Sequence, residues 1–317
     1  MRKNRIGIAA IFIFFAAIMI GGQVTAARIE AADTKAAVTY TIGYLPITHA
    51  LPVFEEKEIL ESGNADVQIQ LQKFSSWSDL TDALHAGKID GASELIELAM
   101  SAKGKGVDLQ VAALGHRDGN VIVVNDSIQE AADMKGKTFA IPSTQSSHYI
   151  LLQDELAKAG LTLDDIQLTQ LAPAEMPSSL ASGAIDGYCV AEPFGAQAVT
   201  QGFGNVLARS DELWEDSLCC GLVFRIDVIE KNPEAFQELL NNYFEAGNKL
   251  DKDEALRIAE TYLGQDAATL ETSLDWISYK DLTITESAYE TLREKMIQDG
   301  VMENPPSYDE FVYTSEE

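Results

Sequence analysis

Three of the four histidines stand beside turns that end apolar runs. His49 follows Leu45-Pro46-Ile47-Thr48, His116 opens Arg117-Asp118-Gly119-Asn120, and His148 closes Ser143-Thr144-Gln145-Ser146-Ser147. An imidazole can donate, accept, titrate near neutral pH or ligate a metal, so three in such turns point to one binding region. The fourth, His85, reads as a helix position. The serine-rich run before His148 offers hydroxyls and free backbone N–H groups at a helix start, which suits an anion; a plain capping cluster is its other reading. Trp77, after Ser75-Ser76, can wall a small ligand or fill a core. Ser93 and Glu94 follow a short apolar run, and Glu192 stands before Pro193, either facing a ligand or favouring a helix dipole.

The cysteines are Cys189, Cys219 and Cys220. An odd number leaves at least one thiol unpaired in the monomer. Cys189 lies in an apolar run and reads as a small buried hydrophobe. The chain has no Gly-x-Gly-x-x-Gly, P-loop, His-Glu-x-x-His or Gly-x-Ser-x-Gly, and no local Cys or His spacing of a metal site. Neither a cofactor nor a metal is expected, and a catalytic reading rests on loose clusters only.

The elements that position these residues alternate in type. Strands are expected at Val38–Leu45, Val67–Leu71, Ile89–Ala92, Leu109–Leu114, Val121–Val124, Thr138–Ile141, Ile166–Leu171 and Ile185–Val190. Helices lie between them, and one over His148–Ala159 stops at Gly160. The phrase Leu84 to Gly91, L-H-A-G-K-I-D-G, returns as Leu180 to Gly187, L-A-S-G-A-I-D-G, 96 positions later. Leu45-Pro46-Ile47-Thr48 returns at the same offset as Ile141-Pro142-Ser143-Thr144. Two α/β halves of like design follow, with a cleft between them where ligands gather beyond the strand ends. Val121–Val124 reads as the first crossing and Leu222–Phe224 as the return, dividing the chain into residues 38–122 with 222–317, and 123–221. From Pro233 onward the pattern is helical, with apolar faces suited to packing on one domain.

The chain has 317 residues, enough for about two domains. Its 23 basic and 50 acidic residues, net −27, exclude a nucleic-acid partner, which requires a basic face. Arg2, Lys3 and Arg5 precede an apolar run from Ile6 to about Gly22, with small residues Val24-Thr25-Ala26 after it. That is the layout of a secretory signal over residues 1–26, or of an uncleaved anchor. The chain is expected to be exported, to the periplasmic or extracellular face of the cytoplasmic membrane, and to be a monomer.

The layout resembles the solute-binding proteins of nitrate, bicarbonate, sulfonate and taurine ABC importers, which share their fold with the thiamine-pyrimidine group. The resemblance runs from about Val38 over nearly all of the chain. Its most specific stretch is Gly187-Tyr188-Cys189-Val190-Ala191-Glu192-Pro193-Phe194, similar to G-F-C-V-G-E-P-W of the nitrate and bicarbonate branch. Ser75-Ser76-Trp77 and Ser146-Ser147-His148 also look like that branch. The resemblance implies a type II periplasmic-binding-protein fold, with two α/β domains around a ligand cleft and a two-stranded hinge. It implies a receptor rather than an enzyme, taking a small polar or anionic solute to a permease and its ATPase. The ligand would meet Trp77, Asn120 and His148. Where nitrate carriers place a lysine the best match is Cys220, which removes a positive charge. With Thr48, His49, Ser93, Thr144, Ser147 and Glu192, all at strand ends, these form the expected ligand shell. The alternative is a thiamine-pyrimidine-type binding protein, or a related enzyme using His and Cys residues.

Overall fold

Alternation between apolar and polar side chains sets the first strands. In Val67–Lys73, Val67 and Ile69 are buried while Gln68 and Gln70 face solvent. The computed structural model describes residues 37–63 and 65–314; the leader expected over residues 1–26 lies outside them. Among the described residues, no helix is long and apolar enough to cross a membrane.

In chain order the strands are β1 (Val38–Tyr44), β2 (Val67–Lys73), β3 (Gly91–Leu95), β4 (Leu109–Leu114), the short β5 (Arg117–Asp118), β6 (Asn120–Val124), β7 (Thr138–Ile141), β8 (Gln167–Gln170), β9 (Gly187–Ala191), β10 (Asn205–Arg209), β11 (Cys220–Arg225) and the short β12 (Ile277–Ser278). One sheet runs β2-β1-β3-β11-β4 and the other β8-β7-β9-β6-β10, with β5 and β12 paired apart from both. The two sheets share one plan. β1 is parallel to β2 and β3 as β7 is to β8 and β9. β11 is antiparallel to β3 and β4 as β6 is to β9 and β10.

The repeated phrase has a physical basis. Gly87 and Gly183 take φ of 67° and 74°, the left-handed region where glycine carries no Cβ penalty, and they turn each chain end back toward its sheet. Asp90 then accepts a hydrogen bond from the Thr41 N–H at 2.8 Å, and Asp186 accepts one from the Thr138 N–H at 2.9 Å. Each aspartate thereby fastens the start of one strand, β3 or β9, to its parallel neighbour.

The two antiparallel strands are the segments that the sequence reads as a crossing and a return. Val121–Val124, read as a crossing, lies within β6 and pairs with β9 and β10. Leu222–Phe224, read as the return, lies inside β11, which already begins at Cys220. The crossings therefore fall between β4 and β6 and between β10 and β11, a few residues before the expected boundaries at 122 and 221. A short, wholly apolar run has the same pattern whether it pairs or crosses. β3 likewise runs on to Leu95, which makes Ser93 and Glu94 strand residues and not loop residues.

The helices after Pro233 touch both halves, which corrects the expectation that they pack on one. The helix Pro233–Lys249 packs on Leu51–Ser62 of the first half. The helix Ala267–Ser273 packs on Phe194–Thr200 of the second, where Thr200 and Thr269 share a 2.9 Å hydroxyl contact. Lys295 reaches Asp154 of the helix Ser147–Lys158 at 2.8 Å. Removing either repeated aspartate should cost about 1–2 kcal/mol, the usual consequence of stranding a strand N–H. Asp90→Ala and Asp186→Ala should therefore lower the urea midpoint by similar amounts, and a large difference between them would contradict the equivalence of the two halves.

Candidate functional site

The ends of β1, β3 and β4 and the start of β11 meet beside the crossings. The N–H of Ile96, just past β3, donates to the Cys219 carbonyl at 2.8 Å. The Gly115 N–H, just past β4, donates to the Cys220 carbonyl at 2.8 Å. A Cβ on Gly115 would lie 2.7 Å from the His49 carbonyl oxygen, so only glycine lets this crossing pass so near the end of β1. The next residue, His116, is thereby placed against His49, with ring centroids 3.4 Å apart.

Around this junction His49 Nδ1 lies 3.4 Å from Cys220 Sγ and 3.9 Å from Cys219 Sγ, and the two sulfurs are 3.8 Å apart. The donor atoms of His49, His116, Cys219 and Cys220 all lie within 4.8 Å of one another. All four residues are at most 2% exposed. No metal was expected from spacing along the sequence; the chain places these side chains together from three distant segments, which such spacing does not register.

Electrostatics at the junction are dominated by burial. His116 is pushed down to about 4, first by burial and next by the neighbouring His49. His148 is pushed down to about 4 by burial. Burial also opposes ionisation of Cys219, but hydrogen bonds from Cys220, His116 and His49 outweigh it and hold that thiol well below its ordinary range. Cys220 moves up, through burial and then through Cys219. Glu97, fully buried in the first turn of the helix Ile96–Gly104, is pushed well above the carboxylate range by burial. Among the described residues, no lysine or arginine is buried.

The expected site residues divide. His49, Asn120 and Cys220 surround the junction, and Asn120 Oδ1 lies 3.7 Å from Cys219 Sγ. Ser147 and His148 approach from the second half, with His148 near enough to sense the charges of Cys219, His49 and His116. Ser147 lies beside the Glu97 carboxyl without reaching hydrogen-bond geometry. The buried atoms His148 Nδ1 and Nε2, Ser147 Oγ, Asn120 Nδ2 and both Glu97 oxygens have no partner in the protein. Trp77, 4% exposed with an unpartnered Nε1, opens the helix Trp77–His85 and helps wall a cavity of about 540 Å³ that reaches across to Gln145 and Gln170.

The other four expected residues are placed differently. Thr144 is exposed, and its N–H donates to Gln170 Oε1 at 3.2 Å. Ser93 is buried within β3 in register with Leu222. Thr48 spends its hydroxyl and its N–H on the Glu192 carbonyl, at 3.0 and 2.9 Å, and so joins the halves directly. The Glu192 carboxylate turns away to accept the Ala196 N–H at 3.2 Å, capping the helix Phe194–Thr200. A place at a strand end fixes where a residue is but not where its side chain points. Sequence reasoning missed Glu97, which carries the pattern of an ordinary first-turn acid, and set Cys219 and His116 outside the shell for want of a local motif.

Two α/β halves of identical strand order, joined by paired crossings beside a buried polar junction, define the periplasmic-binding-protein fold. The NMT1-like family model matches residues 33–263, and the chain belongs to that family. It is 30% identical over 258 residues to the nitrate/nitrite binding protein NrtA of Nostoc sp. PCC 7120, covering 72% of this chain and 58% of that one. The chain thus spans less than two thirds of that relative, and 34% of the nitrate import ATP-binding protein NrtC of Synechocystis sp., to which it is 28% identical. Among solved structures, the ligand-binding component of an ABC-type import system from Staphylococcus aureus with zinc bound is 36% identical with a TM-score of 0.84, covering 87% of this chain and 96% of that one. The periplasmic nitrate-binding protein NrtA from Synechocystis PCC 6803 is 22% identical with a TM-score of 0.76, covering 86% and 84%, and shows the shared fold.

Burial raises the Glu192 carboxyl from an ordinary 4.5 to about 8. Its share of stability is then full below the unfolded value near 4.5 and is lost as pH rises through about 8. The advantage of the wild type over Glu192→Gln should shrink across that window by up to about 1.4 kcal/mol per pH unit. Parallel pH profiles in chemical denaturation would show instead that the carboxyl ionises freely in the fold.

Proposed function

We propose that this chain is the solute-binding component of an ABC-type importer. It is exported, captures a small polar solute between its α/β halves, and delivers it to a membrane permease driven by an ATPase. The two halves are the moving domains, and the paired crossings are the hinge about which they close. NrtA is named as a binding protein, and the Staphylococcus aureus relative as the ligand-binding component of an import system. The basic and apolar leader of residues 1–26 and the periplasmic description of the Synechocystis protein support export.

The observation that carries this reading is the set of buried atoms to which the protein gives no partner. His148, Ser147, Asn120 and Glu97 converge from both halves, and each unpaired buried group calls for an external partner. A solute that satisfied them would stabilise the closed arrangement over the open one. A bare anion is a poor fit. Its counter-charge would have to come from His116 and His148, which burial pushes down, since among the described residues no lysine or arginine is buried. The solute should therefore be neutral or cationic in its contact with this junction.

A thermal-shift screen of the mature chain against small polar solutes should find one that stabilises it by about 2.7 kcal/mol at 100 times its dissociation constant. His148→Ala and Ser147→Ala should each weaken that solute about tenfold or more in calorimetry, since each removes a buried hydrogen bond worth about 1.4 kcal/mol. Affinity unchanged in both variants would remove the junction as the binding site.

A further inference from the structure

We propose that His49, His116, Cys219 and Cys220 bind a thiophilic metal cation with tetrahedral preference, Zn²⁺ or Cu⁺ in kind, and that this cation is the solute the cleft captures. Its role as cargo rests on the importer reading above; the metal site itself does not. The first support is spacing. Metal–sulfur bonds of about 2.3 Å and metal–nitrogen bonds of about 2.0–2.1 Å place tetrahedral sulfurs about 3.8 Å apart and a sulfur and nitrogen about 3.5 Å apart. The two sulfurs stand 3.8 Å apart, and His49 Nδ1 stands 3.4 and 3.9 Å from them.

The second support is the way the imidazoles are held. A carbonyl oxygen only accepts, so His49 Nε2, 3.0 Å from the Gly119 carbonyl, must carry its proton. His116 Nδ1 carries one for the same reason, 2.6 Å from the Asp118 carbonyl. Each ring is thereby locked with its other nitrogen unprotonated. His49 Nδ1 faces both sulfurs, and His116 Nε2 accepts the Cys220 backbone N–H at 3.4 Å, a long bond that its lone pair would exchange for the ion. A carbonyl fixing the far nitrogen is the outer-shell arrangement that orients metal-ligating histidines.

The third support is the chemistry of the set. Cys219 and Cys220 are free thiols, and thiolate with imidazole selects zinc and copper over magnesium or calcium. On binding, any proton still carried by a sulfur goes to solvent as that sulfur bonds to the ion. The donors flank the crossings: His116 lies in one, Cys219 at the end of the other. Ser147 and His148 of the second half cover them, all at 0–2% exposure. Parting of the halves would uncover an ion held here, and delivery to a permease requires that access.

The test uses the full chain, reduced and stripped with a chelator, and titrates it with Zn²⁺, Cu⁺, Mg²⁺ and Ca²⁺ separately. One equivalent of Zn²⁺ or Cu⁺ should bind, the two arms deciding between them, and Co²⁺ should give a thiolate-to-cobalt charge-transfer band. Cys219→Ser with Cys220→Ser should lower affinity by about 100-fold or more and abolish the band, whereas Cys189→Ser should retain both. Because the double variant could fail to fold, alkylation of Cys219 and Cys220 in the unaltered chain is followed as well, and Zn²⁺ should protect them. No binding, equal binding of Mg²⁺ or Ca²⁺, or binding without protection of the two thiols overturns the site. In cells starved of zinc and copper, deleting the chain should lower accumulation of the metal that binds. If uptake of a different solute falls and metal uptake does not, the cargo claim fails while the importer reading stands. If no uptake changes at all, both fail and only the metal site remains.

Discussion

One carbonyl oxygen ties the molecule together. The oxygen of Gly119, in the first crossing, accepts the Glu192 N–H at 3.0 Å and His49 Nε2 at 3.0 Å. Glu192 follows β9 of the second half, and His49 follows β1 of the first. The Glu192 carbonyl in turn takes both bonds from Thr48, and Tyr279, just past β12, donates to the Thr48 carbonyl at 3.0 Å. Both halves, a crossing and the C-terminal region are thus fastened within a few residues. The same bonds set the orientation of an imidazole in the buried junction. Positioning and assembly are one constraint here.

Much of this arrangement was legible in the sequence. The 96-residue offset was more than a resemblance between phrases: it marked Asp90 and Asp186, which fasten equivalent strands. Gathering strand-end residues placed His49, Asn120, Ser147 and His148 in one region, because parallel strands of a sheet end on one side. The failures have one cause. Thr144, Ser93 and Glu192 occupy similar positions, but their side chains or backbone groups are used by local hydrogen bonds or by a strand. Alternation and offset report position along an element, not side-chain direction. The four-residue His and Cys cluster was illegible for another reason: its members lie at residues 49, 116 and 219–220, and only the folding of the crossings brings them together.

The charge distribution separates the surface from the site. The chain carries net −27, yet no lysine or arginine is buried among the described residues to answer the acids inside. Glu94 and Glu192 are pushed up to about 7 and 8 by burial, and Glu97 well above the ordinary range. Neutral carboxyls donate as well as accept, so the interior presents hydrogen-bonding groups and soft donors in place of fixed charge. This is the opposite of a lysine-based anion site.

The unpaired groups also bear on motion. A buried polar atom left without a partner costs about 1–3 kcal/mol, and His148, Ser147 and Asn120 present several such atoms. Shifting a two-state equilibrium from 1:99 to 99:1 takes about 5.5 kcal/mol of differential binding. A solute that supplied partners to a few of these atoms would deliver energy of that order, and would deliver it only in the closed arrangement, since Ser147 and His148 lie on one half and the unpartnered Glu97 on the other. The direct Thr48–Glu192 bonds work differently. They sit at the crossings, and in the importer reading proposed above they would keep that side joined while the far side opens. In that reading closure would be governed by polar atoms that the fold leaves unsatisfied, and the hinge by polar atoms that it satisfies itself.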